Sequence, residues 1–102
     1  MITQRRVFQA KAGQAGQLVE RMKEFKPTFE KYGGPSSRIY TDLLSGNTDR
    51  VVWEFDTENL SSLENIFVTA AQNPDYQKIY ENWFEGIKPL IEGAVVELWN
   101  RE

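Results

Sequence analysis

The chain contains no cysteine and no histidine. The first absence excludes disulfides, thiol nucleophiles and Cys-x-x-Cys metal or redox sites. The second excludes Ser-His-Asp chemistry, His-Glu-x-x-His zinc sites and a proximal histidine for haem. Any catalysis would have to use carboxylates, lysine, arginine, tyrosine, serine, threonine or a bound cofactor, and no cofactor or metal is expected. The acidic residues Asp42, Asp49, Glu54, Asp56 and Glu58 match no calcium-loop spacing and are expected to be solvated charge. Gly13 and Gly16 form neither a dinucleotide fingerprint nor a phosphate loop.

Long apolar runs are also missing. No stretch approaches the roughly 18 apolar residues of a membrane span, and Met1–Arg6 lacks the apolar segment of a secretory leader. A cytoplasmic location is the expectation. Positive charge is scarce and scattered, with 12 Lys+Arg against 15 Asp+Glu. This gives no basis for nucleic-acid or anionic-membrane partners.

What is present is an ordinary globular composition in 102 residues, enough for a single domain spanning residues 1–102. Residues 2–10 read as a poorly alternating strand. Residues 14–32 read as a helix with Leu18, Met22, Phe25 and Phe29 on one face. Pro27 is expected to kink or restart this helix, and Gly33-Gly34-Pro35 to end it. Two strands, 37–44 and 49–56, flank the turn Ser45-Gly46-Asn47-Thr48 and imply a hairpin. A helix over about 60–72 follows. Ser61 with Glu64, or Asn59, would cap it, and Leu60, Leu63, Phe67 and Ala71 would form its apolar stripe. Asn73-Pro74-Asp75 breaks and restarts it as a helix over about 75–88, and residues 92–100 form the last strand. The order β-α-β-β-α-β predicts an α+β, ferredoxin-like fold, a four-stranded antiparallel sheet with its helices on one face.

Alternation separates the two sheet faces. Val51, Trp53 and Phe55, with Ala94, Val96 and Leu98, should lie beneath the helices. The uncovered face should then carry Arg38, Tyr40, Asp42, Val52, Glu54, Asp56, Val95, Glu97 and Trp99. One of Arg5 and Arg6 joins them, and Arg6 is taken as that residue. Such a mixture of apolar and charged groups predicts a homodimer, two sheets packed face to face around a polar-lined cavity. A small-molecule ligand is expected there, against Arg6, Arg38, Tyr40, Glu54, Glu97 and Trp99, or else between the sheet and the helices' open end. Carboxylates enclosed in that cavity would act as bases if their pKa values were raised, with arginine holding an anion. The competing reading is a salt-bridge network that sets dimer register.

Three short segments add a family resemblance. Arg6-Val7-Phe8-Gln9-Ala10-Lys11-Ala12-Gly13 is similar to the first-strand pattern of the NIPSNAP-like branch of the dimeric α/β-barrel superfamily, with Ala12 in place of the usual proline. Val51-Val52-Trp53-Glu54-Phe55 resembles that family's third strand. Asn73-Pro74-Asp75-Tyr76 resembles its break in the second helical region. The resemblance implies the ferredoxin-like fold, pairing into a dimeric α/β barrel, and a role in small-molecule binding or interaction. The alternative it implies is a small cofactor-independent enzyme, a monooxygenase or isomerase, acting on an aromatic or polyketide-like compound.

Overall fold

The computed structural model describes residues 1–102. Strands β1 (Ile2–Ala10), β2 (Ser37–Thr41), β3 (Arg50–Thr57) and β4 (Ile91–Asn100) form one antiparallel sheet in the order β2-β3-β1-β4. Helices α1 (Ala15–Lys31), α2 (Leu60–Ala71) and α3 (Pro74–Ile87) pack on one side of it. This is the expected ferredoxin-like α+β arrangement.

Local chemistry sets the boundaries. Helix α1 runs through Pro27 as one element. It closes in a Schellman turn: Gly33 has φ 101°, its N–H donates to the Glu30 carbonyl, and Gly34 N–H donates to the Phe29 carbonyl at 2.8 Å. A Cβ on Gly34 would lie 2.5 Å from the buried Phe29 ring. The cap of α2 is Asn59, whose side chain accepts from Ser62 N–H at 2.8 Å, so the Ser61–Glu64 capping box does not form. Asn73 caps α3 through the N–H groups of Asp75 and Tyr76, with Pro74 in the first turn, where a missing N–H leaves no bond unmade. Strand β2 stops at Thr41, earlier than alternation suggests. Asp42 accepts from Ser45 N–H and turns the chain instead of extending it.

The core lies between β3, the inner half of β1, and α1 with α3. Leu18, Met22, Val51, Phe55 and Ile87 are the largest fully buried side chains. Phe25 gathers the aromatic residues, stacking on Trp83 at 4.5 Å and lying about 6 Å from Trp53, Tyr76 and Tyr80.

The helical layer is offset toward β2 and β3. Consequently Val51, Trp53 and Phe55 are covered as expected, whereas Val96 and Leu98 on the same side of β4 remain about half exposed. The inward face of α2 also differs from the expected stripe. Leu63, Ile66 and Ala70 pack inward, leaving Leu60 and Phe67 exposed, and Ile79 of α3 is likewise exposed.

Leu18→Ala should lower unfolding free energy by about 3 kcal/mol, because a fully buried side chain leaves a void. Leu43→Ala, in the exposed β2–β3 loop, should change it by less than about 0.5 kcal/mol. Urea denaturation of the two variants compares them directly, and equal effects would contradict this placement of the core.

Candidate functional site

The strand register sorts the sheet residues into rows. Across the open face one row reads Arg38, Glu54, Arg5, Glu97 from β2 to β4, with charge alternating at every step. The next row reads Tyr40, Val52, Val7, Val95 and is apolar apart from the tyrosine hydroxyl. On the other side of the charged row lie Asp56, Thr3 and Trp99. Opposite charges at directly paired positions are the sheet's form of a side-chain ladder.

Glu54 is the centre of this face. Its Oε2 accepts from Arg5 Nε at 2.7 Å, and its Oε1 accepts from Arg38 Nε at 2.9 Å. Tyr40 donates to the same Oε1 at 3.4 Å. The two arginine side chains cover it, so Glu54 is only 5% exposed although no helix lies on that side. Asp56 accepts from both terminal nitrogens of Arg38 at 3.0 Å, from Thr3 at 2.7 Å and from Arg101 at 3.0 Å. Glu97 accepts from the Trp99 indole at 2.9 Å.

These contacts decide the carboxylates' chemistry. Burial pushes the Glu54 pKa up, but the hydrogen bonds and charges of Arg5 and Arg38 outweigh it and leave the pKa below the usual carboxylate value. Asp56 is brought down to about 2, first by its hydrogen bonds from Arg38 and then by that from Thr3. Neither group is a base poised near neutral pH.

Sequence alternation places Arg38, Tyr40, Glu54 and Trp99 around one shallow hollow of about 590 Å³, which Thr3, Arg5, Asp56 and Arg101 complete. Glu97 shares this side of the sheet. Arg6 does not. It pairs in register with Trp53 and Val96 on the helix side, and Arg5 takes the place expected of it. The error has a physical origin: β1 reads Ile-Thr-Gln-Arg-Arg-Val-Phe-Gln-Ala, and two adjacent arginines give no alternation from which to read the facing.

Arg6 lines a second, more enclosed cavity of about 310 Å³ between sheet and helices. Its walls are Phe8 and Trp53 from the sheet, Met22, Phe25 and Phe29 from α1, Phe67 and Ala70 from α2, and Tyr76, Tyr80, Trp83 and Phe84 from α3. Gln4, Arg6 and Gln77 are its polar lining residues apart from the tyrosines, and none of its lining residues is acidic. Burial raises the Tyr76 phenol to about 12, so it stays protonated at neutral pH. Phe25 and Phe29, on the apolar face that spacing predicts for α1, and Trp53, beneath the helices as alternation predicts, look in sequence like core residues. Apart from Phe67, which is about half exposed, the aromatic lining residues fall on inward helix or strand faces, and that pattern does not distinguish a filled core from a lined cavity. No group of three or more acidic side chains is placed to hold a metal ion, and no helix is long and apolar enough to cross a membrane.

No protein-family model and no curated protein sequence matches the chain. Solved structures do. An uncharacterized NIPSNAP domain protein from Burkholderia xenovorans superposes with a TM-score of 0.79 at 17% identity, over 100% of this chain and 95% of that one. A NIPSNAP family protein of unknown function from Agrobacterium tumefaciens gives 0.79 at 15% identity, over 97% and 86% of the two chains. A protein from Deinococcus radiodurans, described as a candidate antibiotic biosynthesis monooxygenase, gives 0.66 at 13% identity, over 100% and 93%. The strand motifs and the superpositions agree, and the chain has the ferredoxin-like fold of the NIPSNAP-domain structures.

Proposed function

We propose that this chain is a small-molecule-binding protein that takes an apolar, ring-containing ligand into the cavity between its sheet and its helices, and that it works as a homodimer packed through the open sheet face. The observation that carries the reading is the 310 Å³ cavity itself. Aromatic walls with a few polar groups are the usual makeup of a small-ligand site, and the volume suits a compound of one or two rings. The open-face hollow is larger, but its charges are already paired with one another.

The dimer reading rests on that same pairing. The row Arg38, Glu54, Arg5, Glu97 sums to zero, so two such faces can meet without net charge repulsion, and an offset of one position would set opposite charges together. Tyr40, Val95 and Trp99 are each about half exposed on this face, and a second copy would remove their apolar surface from water. In this arrangement the charged row fixes register, and Arg38, Tyr40, Glu54, Glu97 and Trp99 serve the interface.

An enzymatic reading, as a cofactor-independent monooxygenase or isomerase, draws support from the Deinococcus neighbour and from the Trp and Tyr side chains of the cavity. It ranks second because the cavity has no carboxylate or histidine to take a proton, and Tyr76 is shifted away from that role.

Three outcomes are expected. Titration with 2-naphthol should change the emission of Trp53 and Trp83, and Ala70→Phe, which fills the cavity from α2, should weaken binding at least ten-fold while the chain stays folded. Unchanged affinity in that variant would place the ligand elsewhere. Light scattering at micromolar concentration should give about twice the 11.8 kDa chain mass, and Trp99→Glu should shift the molecule toward monomer, since it sets a charge in the interface. A wild-type monomer would remove the dimer reading.

The third outcome concerns pH. Asp56 and Glu54 have lower pKa values folded than in an unstructured chain. Their stabilising contribution is therefore complete above about pH 4.5 and is lost as pH falls toward 2. For Asp56 this amounts to about 1–2 kcal/mol. Urea midpoints should stay level from pH 7 to 5 and decline below that, with a shallower decline in Asp56→Asn. An identical acid profile in the variant would contradict the pairing.

A further inference from the structure

Arg5 and Arg6 are chain neighbours in different environments. Arg5 meets Glu54 at 2.7 Å. Arg6 faces the aromatic cavity, takes part in none of the molecule's six ion pairs, and has its Nε buried without a hydrogen-bond partner. In the three rows of the helix-side face centred on β1 residues Gln4, Arg6 and Phe8, it is the one charged residue. Above it in the fold lie Phe, Tyr and Trp side chains, and Gln4 and Gln77 are the uncharged polar neighbours that share the cavity.

A guanidinium keeps its proton at any pH a protein meets, so it cannot relieve partial burial by becoming neutral. Arg6 is partly buried on a central strand, and shutting its Nε away from water with no hydrogen-bond partner and no counter-charge carries a desolvation cost that nothing in the chain offsets. A local conflict of this kind, where every surrounding position obeys the core pattern, marks a functional position. An anion entering the cavity would resolve it. Carboxylate and guanidinium match in a planar, two-point geometry, and the low polarity of the walls strengthens that pairing.

We infer that Arg6 is the anion anchor of the cavity, and that the ligand is a flat apolar molecule carrying one carboxylate or enolate on a ring system of one or two rings. This rests on the cavity reading above and adds the ligand's charge class to it. The aromatic side chains of α1 and α3 would enclose the rings. Arg6 would hold the acidic end at the sheet floor of the cavity, beside Gln4.

The test uses two probes of nearly equal shape, 2-naphthoate and its neutral counterpart 2-naphthamide, titrated calorimetrically into the full chain. Wild type should prefer naphthoate by at least ten-fold. Arg6→Gln should weaken naphthoate at least ten-fold, leave naphthamide within about two-fold, and so erase the preference. Arg6→Met guards against a folding artefact. It should melt no lower than wild type, because it replaces an unpaired charge by an apolar side chain, and it should also lose the preference. If the two probes bind alike and Ala70→Phe blocks both, the cavity reading stands and the anchor falls. A preference that survives in Arg6→Gln, or a clearly lower melting temperature in Arg6→Met, also overturns the anchor. If neither probe binds, or Ala70→Phe leaves both unaffected, the cavity reading itself fails and takes this inference with it.

Discussion

Adjacent residues of a β-strand point to opposite sides of the sheet, and Arg5 and Arg6 sit side by side on a central strand. The pleat sends one to each face. On the open face the neighbouring strands supply Glu54 and Glu97 opposite Arg5; on the helix face they supply Trp53 and Val96 opposite Arg6. One constraint thus produces a paired charge row on one side of the molecule and a partly buried cation without a counter-charge on the other. The two halves of the functional account, interface and ligand cavity, both follow from it.

The faces differ in how firmly they are held. Glu54 and Asp56 accept from Arg5, Arg38, Arg101 and Thr3, so the open face carries one network that joins β1, β2 and β3 to Arg101 just past the end of β4. Removing one member leaves a partly buried charge without its partner, a larger loss than the pair's own contribution. The helix side has no comparable network. Its order comes from aromatic packing around Phe25 and from the offset of the helices toward β2 and β3. Strand β4 thus has apolar residues exposed on both faces: Val95 and Trp99 on the open face, and Val96 and Leu98 on the helix side, where the offset leaves them uncovered.

Much of this was legible in the chain. Helix spacing in Leu18–Phe29, the glycine pair after α1, the turn residues before β3 and the alternation of Val51-Val52-Trp53-Glu54-Phe55 all carry local signals, and the fold follows them. The facing of Arg38, Tyr40, Glu54 and Trp99 was legible for the same reason. Arg6 was not, because strand β1 lacks alternation and its facing is set by the pairing with β3 and β4. Nor was the exposure of Val96 and Leu98, since where a helical layer sits over a sheet depends on packing and not on any one segment. The cavity was hidden in another way. Its lining residues look like core residues in sequence, and only their assembled separation leaves space among them.

The most direct test of the account is a crystal structure of the full chain grown with 2-naphthoate. The account predicts ring density between Phe25, Trp53 and Tyr80, with the carboxylate within about 3 Å of the Arg6 guanidinium and the sheet faces of two copies packed together. Density for the compound in the open-face hollow beside Arg38 and Trp99, with the cavity beneath the helices filled by repacked side chains, would contradict it.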